Sequence, residues 1–416
     1  MRICMLSMGS VGDVRPCLLL GKELRARGHQ VTVAAFPQFR DMITAAGLAF
    51  FPLGGNSEEM INAIMQPDTN GLTYLPRLMK NLSAIIPDLI RSLTESCAGA
   101  EAMVCNYFGS VYYSIAEMYG IPCVQINFFP MDPTGEIPIS SVRNQHLGKY
   151  MNLASYRMGY LLIGLVEKHY LTNWRKDRRL DKRKIQTKPD YTAGVHSVSV
   201  IYAISPSLLQ RPREWDERIH MSGFLFDNSP EYWQPPAPVR EFVENGPKPV
   251  YIGFGSMNAG NMNKLLTIIL RSVRAAGIRA VICLVNTGRK LTSNHTVCFI
   301  DEYVPHDWLF PRVSAVVHHG GAGTTAAGLR YGRPTLVIPF AGDQPFWGNL
   351  VHQAGCGPKP VPREKLSVRK LTEGLIDLVS KPSYSANAET LAGKMEKECG
   401  VKSAADLIEK EITGGR

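Results

Sequence analysis

Residues 299–349 decide the fold of this chain, and they read FIDEYVPHDWLFPRVSAVVHHGGAGTTAAGLRYGRPTLVIPFAGDQPFWGN. The apolar segment 314–317 predicts a β-strand. Two histidines and a glycine-rich turn follow it, and a helical pattern begins after the turn. A second strand is predicted at 335–339. Strand, glycine turn and helix N-terminus together are typical of a phosphate site, because glycine lets the backbone approach the anion and free N–H groups point at it.

Polar side chains accompany this turn. His318 and His319 follow the first strand and place polar or cationic groups beside the same anion. Asp343 and Gln344 follow the second strand, and a carboxylate next to an amide can bind hydroxyl groups by paired hydrogen bonds. Phosphate beside hydroxyl groups indicates a nucleotide sugar.

The two halves of the chain repeat one pattern. The first half has a strand at 3–8, a glycine turn, a helix and a strand at 31–35, and the second half repeats this order from strand 250–254 to strand 280–284. Strands that alternate with helices predict parallel βαβ sheets, whose functional loops lie at the carboxyl ends of the strands.

The domain organisation follows from length and proline content. A chain of 416 residues exceeds what one hydrophobic core usually organises. The proline-rich residues 226–248 have the composition of a linker. The sequence therefore predicts two Rossmann-like domains, over 1–225 and over 249–395, and the second carries the nucleotide-sugar turn.

Five sequence blocks carry a resemblance to a known family. GSVGDVRP at 9–16, PVYIGFGSM at 249–257, and the blocks VPHDWLFPR, HHGGAGTT and PFAGDQPFWGN of the quoted stretch stand in the family's order. They resemble the UDP-dependent glycosyltransferases, most closely the sterol 3-β-glucosyltransferases and bacterial natural-product enzymes. This resemblance implies an α/β protein of the GT-B fold, in which two Rossmann-like domains with parallel sheets face an inter-domain cleft. In that fold the first domain, 1–225, is the acceptor-binding domain, and a last helix, 396–416, is expected to pack back toward it. It also implies inverting transfer of a hexose, expected to be glucose, from a UDP-sugar to a hydroxyl of an apolar acceptor such as a sterol or polyketide.

The resemblance assigns roles to individual residues. Asp13 is implied to be the general base that takes a proton from the acceptor hydroxyl; the alternative on the residues alone is a helix-capping aspartate. His318 is implied to contact the pyrophosphate. Tyr303 and Val304 stand where plant relatives place the pair that binds uracil. The full set of predicted donor-binding residues is Ser256, Tyr303, Val304, His318, Gly320, Gly321, Ala322, Gly323, Thr324, Asp343 and Gln344.

Two positions depart from the family pattern. Relatives often have arginine where this chain has Val11, and plant relatives have a ribose-binding glutamate where it has Ala326. Ribose contacts are therefore left unassigned. On the acceptor side, Phe128, Phe129 and Met131 follow a predicted strand and are candidates for the wall of an apolar pocket.

The charge of the chain is unevenly distributed. Of a net charge of +10, the basic segment 174–188 holds +6, from eight cations against Asp177 and Asp181. A solvated face is the ordinary interpretation, and peripheral contact with an anionic membrane is the alternative. Nucleic-acid binding is excluded, because no recognition motif accompanies the charge.

Composition and motif content limit the other classes of protein to which the chain could belong. No window approaches a membrane span of ~20 apolar residues, and nine scattered cysteines favour reduced thiols in a cytoplasmic protein. No D-x-D or zinc-type spacing occurs, so no metal or other cofactor is expected. Three other functions stay open: an NAD-dependent enzyme using the G-x-G-x-x-A spacing, a nucleotide-sugar epimerase, and a non-catalytic paralogue. A P-loop motif is missing, which excludes ATP hydrolysis of that type.

Overall fold

The computed structural model describes most of the chain. The described residues are 1–56, 81–83, 85–106, 110–142, 144–145, 147–181, 191–227, 234–255, 262–284, 291–302 and 304–414. Two predicted site residues, Ser256 and Tyr303, lie outside these ranges, as do parts of the predicted linker and of the basic segment.

The first half of the chain forms a seven-stranded sheet in the order β3-β2-β1-β4-β5-β8-β9, with every neighbouring pair parallel. A two-stranded antiparallel ribbon, β6 with β7, stands beside it. The elements are β1 (Arg2–Leu6), α1 (Val11–Ala26), β2 (Gln30–Ala35), α2 (Arg40–Ala45), β3 (Ala49–Pro52), α3 (Ile86–Ser96), β4 (Ala102–Asn106), α4 (Ser110–Tyr119), β5 (Cys123–Asn127), α5 (Lys149–Asp177), β6 (Thr192–Ala193), β7 (His196–Ser197), β8 (Ser199–Tyr202) and β9 (Ile219–Met221).

The second half forms a five-stranded sheet, again all parallel, in the order β12-β11-β10-β13-β14. Its elements are α6 (Ala237–Glu244), β10 (Val250–Gly253), α7 (Met262–Ala275), β11 (Ala280–Cys283), β12 (Val297–Ile300), α8 (His306–Leu309), β13 (Ala315–His318), α9 (Ala322–Arg330), β14 (Thr335–Val337), α10 (Gln344–Gln353), α11 (Val368–Ser380), α12 (Pro382–Met395) and α13 (Gly400–Gly414).

The central strands form because their residues are apolar on both faces. β1, β4 and β5 of the first sheet, and β10 and β13 of the second, are buried almost throughout. Strands buried on both faces are typical of parallel sheets covered by helices on each side. The predicted α/β architecture with two parallel sheets is confirmed, and the strand limits differ from the prediction by one or two residues.

The predicted linker contains a helix. Residues 237–244 form α6, whose Val239 and Phe242 pack with Tyr251 in a core cluster of the second sheet. Arg279 holds the helix by stacking over the Phe242 ring at 4.1 Å and donating to its carbonyl oxygen at 2.8 Å. The second domain therefore starts before residue 249. The sequence did not show this, because the flanking prolines masked a helix of little more than two turns.

The end of the chain returns to the first domain. Helix α13 buries Ala404, Ala405 and Ile408 in the same hydrophobic cluster as the first sheet. At its surface, Glu409 accepts from Arg27 at 2.7 Å and contacts the His29 ring at 2.9 Å. After α12 the chain leaves the second domain, and its last helix, α13, packs against α1.

Two further predictions concern membrane spans and thiols. Among the helices of the described ranges, none combines the length and the apolar character that a bilayer crossing requires. All nine cysteines lie in described residues; eight are buried, and none is joined in a disulfide.

Candidate active site

His318 lies at the carboxyl end of β13, an interior strand of the second sheet, directly before the glycine turn. His318 is the last residue of β13 and pairs with Gly253 on one side and Val337 on the other. Its Nδ1 accepts a hydrogen bond from the Gly320 N–H at 2.9 Å, which leaves the ring proton on Nε2. That Nε2 is buried and has no hydrogen-bond partner among the described residues. His318 therefore presents a buried, unpaired N–H donor at the start of the turn.

Burial sets the charge of both histidines. The pKa of His318 lies well below its usual value, first because the ring is buried and then because His319 and His306 are close. Burial also lowers the pKa of His319 to about 4. At neutral pH this burial favours the neutral form of both rings. Of the two predicted possibilities, polar or cationic, the structure favours a polar N–H donor.

Helix α9 opens directly onto the turn. Its N-cap is Gly321, which has no side chain to bond the first-turn N–H groups of the helix. Beside Gly323 there is open space where a Cβ would stand. Thr324 is half-buried, whereas Thr325 is fully buried and donates to the Gly321 carbonyl oxygen at 2.9 Å. An uncapped helix N-terminus with open space in front of it is a ready anion site.

His319 lies between the two glycine turns of the second domain. A Cβ on Gly321 would approach the His319 Nε2 to 2.7 Å, and a Cβ on Gly255 would approach its Cε1 to 3.4 Å. The ring therefore occupies the space that glycine leaves free after β10 and before α9. This placement gives His319 the contacts to hold the loop in position.

Asp343 is fixed by the helix that follows it. It is the N-cap residue of α10, and its Oδ2 accepts from the Trp347 indole N–H at 2.7 Å. Burial, opposed by the Trp347 hydrogen bond, raises the pKa of Asp343 to about 6. Gln344 is buried, and its side-chain oxygen accepts from the backbone N–H groups of Phe340 and Ala341 at 2.7 and 3.1 Å. In this arrangement Gln344 shapes the loop around Asp343.

Asp13 follows the first strand of the other domain. Ser10 is the N-cap of α1, and Asp13 is its third residue, so the two form a reciprocal capping box. The Asp13 Oδ2 accepts from the Ser10 N–H at 2.8 Å and from its hydroxyl at 3.1 Å. Gly9, at φ +140°, makes room for the carboxylate, since a Cβ there would collide with it. Asp13 therefore has a capping function whatever else it does.

The carboxyl groups of Asp13 and Asp343 lie within electrostatic reach of each other. The charge of Asp13 contributes to the raised pKa of Asp343. Burial also raises the pKa of Asp13, against the hydrogen bonds from Ser10 that lower it. One carboxyl comes from the first domain and the other from the second. The predicted base and a predicted sugar-binding residue therefore lie close enough to interact electrostatically.

The predicted base-binding pair is only half described. Val304 is buried in a core cluster with Leu309 and Phe310, so its side chain serves packing and only its main chain is left for a ligand. In the same segment, the guanidinium carbon of Arg312 lies over the Trp308 ring, 4.6 Å from the ring centroid.

His306 is a cleft residue that the sequence interpretation missed. It begins α8, and its ring lies flat on Phe310 with the centroids 4.2 Å apart. Burial lowers its pKa to about 4, with contributions from Arg15 of the first domain and His319 of the second. The signal was present in the VPHDWLFPR block, where a histidine directly follows the proline that starts a helix.

The predicted acceptor wall lies behind β5. Phe128 and Phe129 pack half-buried against the main core, and Met131 is buried with Ile139 and Tyr156 in a separate small cluster. The N–H groups of Met131 and Asp132 both donate to the Tyr202 hydroxyl at 2.9 Å. This hydroxyl donates in turn to Asp132 Oδ2 at 2.6 Å. A buried polar network therefore fixes the segment that carries the predicted wall.

Comparison with known protein families identifies both halves. Residues 3–135 match the glycosyltransferase family 28 N-terminal domain, and residues 278–409 match the C-terminal domain described as erythromycin biosynthesis protein CIII-like. The glycotransferase of kitacinnamycin has a similar structure, with a TM-score of 0.73 at 20% identity over 99% of both chains. The calicheamicin glycosyltransferase CalG4 gives 0.71 at 16% identity over 100% of this chain and 98% of that one. These structures share the GT-B fold.

Curated relatives define the family more narrowly. The sterol 3-beta-glucosyltransferase UGT80A2 of Arabidopsis thaliana is 33% identical over 100% of this chain and 66% of its own length. UGT80B1 of the same plant is 32% identical, with 99% and 68% covered. The sterol 3-beta-glucosyltransferase of Pichia angusta is 29% identical, but only 34% of its length is covered. The chain thus spans about two thirds of the plant relatives and about a third of the fungal one.

Fold and site together define a glycosyltransferase of the GT-B class. Within that class, the chain belongs to the sterol 3-beta-glucosyltransferase family.

Proposed function

We propose that the protein transfers glucose from UDP-glucose to the hydroxyl of a sterol-type acceptor, with inversion at the anomeric carbon. One observation supports this best: Asp13 of the first domain acts electrostatically on Asp343 of the second, beside the His318 turn and the N-terminus of α9. A base and an anion site then face each other across one cleft. The relatives, named as sterol 3-beta-glucosyltransferases, support the sugar and the acceptor class.

The proposed chemistry is a single displacement. Asp13 takes the proton from the acceptor hydroxyl while that oxygen attacks the anomeric carbon. The bond from this carbon to the diphosphate oxygen breaks at the same time, and UDP leaves with the bonding electrons. Attack from the face opposite the leaving group turns an α-linked donor into a β-linked product. Burial raises the pKa of Asp13 and makes its carboxylate a stronger base than an exposed aspartate.

The leaving diphosphate is proposed to bind at the turn after β13. The unpaired His318 Nε2–H and the first-turn N–H groups of α9 are donors fixed before the reaction begins. Preorganised donors of this kind often supply the largest single contribution to catalysis. We therefore propose transfer without a metal ion. Activity that disappears in EDTA and returns with Mg²⁺ would contradict that proposal.

Asp343 is proposed to bind hydroxyls of the transferred sugar. The Trp347 indole fixes the orientation of its carboxylate, and each carboxylate oxygen can accept more than one hydrogen bond. The uracil is assigned to Tyr303 and the Val304 main chain by the family resemblance alone.

The location of the protein and a membrane contact are further parts of the proposal. We propose a cytoplasmic enzyme that touches an anionic membrane surface. Within the basic segment, Arg175 is buried in an ion pair with Glu117 at 2.8 Å, so it adds nothing to a cationic surface. Lys176, Arg178 and Arg179 remain exposed.

A ligand panel tests the proposed donor. Thermal unfolding of the protein is measured with UDP, UDP-glucose, dTDP-glucose and NAD. UDP and UDP-glucose should raise the melting temperature, and His318→Ala should lose most of that gain. NAD should have no effect. Stabilisation by NAD and not by any nucleotide diphosphate would overturn the proposal and restore the dinucleotide alternative.

A further inference from the structure

Helix α5 carries an exposed apolar face. Six of its large apolar side chains have exposed fractions between 36% and 85%: Tyr150, Met151, Met158, Leu161, Leu162 and Leu165. At 100° per residue, these six and the exposed Ala154 fall within a sector of about 120°, which extends along about 22 Å of the helix. Every residue of that sector between 150 and 165 is apolar. Among the described residues, nothing covers this face.

The opposite face of α5 is firmly attached to the protein. Tyr156 and Tyr160 are buried, and Glu167 accepts from the Ser110 hydroxyl at 2.8 Å. Arg175 donates to Ser114 at 2.8 Å, in addition to its ion pair with Glu117. The helix is thus held against α4 on one side, which leaves the apolar face on the other.

Cations continue the same sector toward the C-terminus of the helix. Lys168 and Lys176 occupy it after Leu165, and both are exposed. The helix has two acidic residues: Glu167 is held by Ser110, and Asp177 is exposed. An apolar stripe that passes into a cationic end is typical of helices that lie in a membrane interface. A second copy of this helix offers few carboxylates to match these cations, whereas anionic lipid matches them.

We propose that the exposed face of α5, from Tyr150 to Leu165, docks on an anionic lipid bilayer, with Lys168 and Lys176 contacting lipid headgroups. This surface is distinct from most of the basic segment, because the apolar face ends at Leu165, on the N-terminal side of residue 174. The docking surface is an interfacial helix face, and the cations set its preference for lipid charge.

The docked orientation has a consequence for the acceptor, and this part rests on the proposed function. Tyr160 donates from the inner side of α5 to the Met131 carbonyl oxygen at 3.4 Å, and Tyr156 packs on Met131 and Ile139. One helix therefore separates the bilayer from the predicted acceptor wall. A lipid acceptor would then have a short path from the membrane to the cleft.

Vesicle co-sedimentation tests the proposal with the full chain. The wild-type protein should bind vesicles of phosphatidylcholine with about one third phosphatidylserine at least ~10-fold more tightly than vesicles of phosphatidylcholine alone. The double variant L161S/L165S should lose at least ~10-fold in vesicle binding. The variant K168E/K176E should lose the preference for anionic lipid. The matched control is I376S/V379S on α11, whose side chains are exposed to a similar extent, 45% and 44%, and it should bind as the wild type does.

Failure of the docking proposal can be distinguished from failure of the proposed function, because vesicle binding needs neither donor nor acceptor. All variants change exposed side chains, and their melting temperatures should match the wild type. The proposal is overturned if the wild-type protein does not bind anionic vesicles. It is also overturned if I376S/V379S loses as much binding as L161S/L165S. Sedimentation equilibrium covers the remaining case: a wild-type dimer that L161S/L165S converts to a monomer, with vesicle binding unchanged, would assign the face to a second copy.

Discussion

At the scale of single residues, short local hydrogen bonds fix the candidate site. Ser10 holds Asp13, the Gly320 N–H holds His318, and Trp347 holds Asp343. The sequence predicted all three anchored residues from motifs, and the Ser10-to-Asp13 spacing is a readable capping signature. It could not predict that both histidines are neutral, because their pKa values depend on burial by residues distant in sequence. His306 was also missed, because one of the residues that act on it, Arg15, is distant in sequence.

Asp13→Asn should separate binding from chemistry. The amide can still cap α1 and accept from Ser10, but it cannot take a proton. UDP-glucose affinity by calorimetry should be nearly unchanged, while transfer falls by at least ~10²-fold. Because burial raises the pKa of Asp13, the acid limb of the wild-type pH–rate profile should lie above the usual pKa of an aspartate. Near wild-type transfer by the variant would leave Asp13 as a helix cap only.

Asp132 should make the folded state less stable as the pH rises. Burial raises its pKa to about 7, so the folded protein binds a proton that the unfolded chain loses near pH 4. The free energy of unfolding should therefore fall between pH 4 and pH 7, by up to about 4 kcal/mol from this group. Asp132→Asn should flatten the slope measured by urea unfolding between pH 5 and pH 7. The exposed Asp177→Asn is the control, and an equal slope in Asp132→Asn and wild type would exclude this assignment.

At the scale of elements, strands and glycine turns were predicted well from the sequence, and short helices poorly. The turn from β13 to α9 was predicted because apolar strand, glycine cluster and helix start are local patterns. Helix α6 was missed, since its two turns are surrounded by prolines and its stability comes from packing with Tyr251 and Arg279. The apolar face of α5 is present as a helical period, yet whether that face is inside or outside depends on what packs against it.

Two glycines of the donor turn should respond differently to alanine. Gly320 has φ +97°, and a Cβ there would stand 2.7 Å from Val337 Cγ1 and 2.9 Å from the Gln344 carbonyl oxygen. Gly320→Ala should therefore destabilise the protein by ~1–3 kcal/mol. Gly323 is in the first turn of α9 with open space around it, so Gly323→Ala should keep or slightly raise stability.

The variants Gly320→Ala and Gly323→Ala also test the anion site if UDP affinity is measured together with thermal unfolding. Gly323→Ala places a methyl group where the phosphate would approach, and it should weaken UDP binding without loss of stability. Unchanged UDP affinity in Gly323→Ala would move the diphosphate away from α9.

At the scale of the whole molecule, the two-sheet architecture and the return of the last helix were predicted, but not the contacts that hold them. The cluster of the first sheet extends through Phe224, whose ring lies 5.9 Å from Trp347 of the second domain. Arg27 and Glu409 meet across 382 positions of sequence. A single sequence carries no information on such pairs, because periodicity and motifs describe only neighbours along the chain.

Ile408→Ala should show that α13 is part of the first domain's core. Ile408 is fully buried in the cluster of the first sheet, so the substitution should cost ~2–5 kcal/mol of unfolding free energy. Ile376→Ala on α11 changes an exposed isoleucine and should stay within about 0.5 kcal/mol of the wild type. Equal effects of the two substitutions in urea unfolding would mean that α13 does not support the first domain.

The reaction product gives the most direct test of the proposed transfer of glucose to a sterol with inversion. The protein is incubated with UDP-α-glucose and a sterol in the presence of EDTA, and the sterol fraction is analysed by mass spectrometry and proton NMR. We predict a steryl glucoside whose anomeric proton shows β configuration, formed together with an equal amount of UDP. A product of α configuration would contradict the single displacement by Asp13. No sugar transfer to the sterol, with UDP-α-glucose or any other nucleotide sugar as donor, would contradict the assignment as a sterol glycosyltransferase.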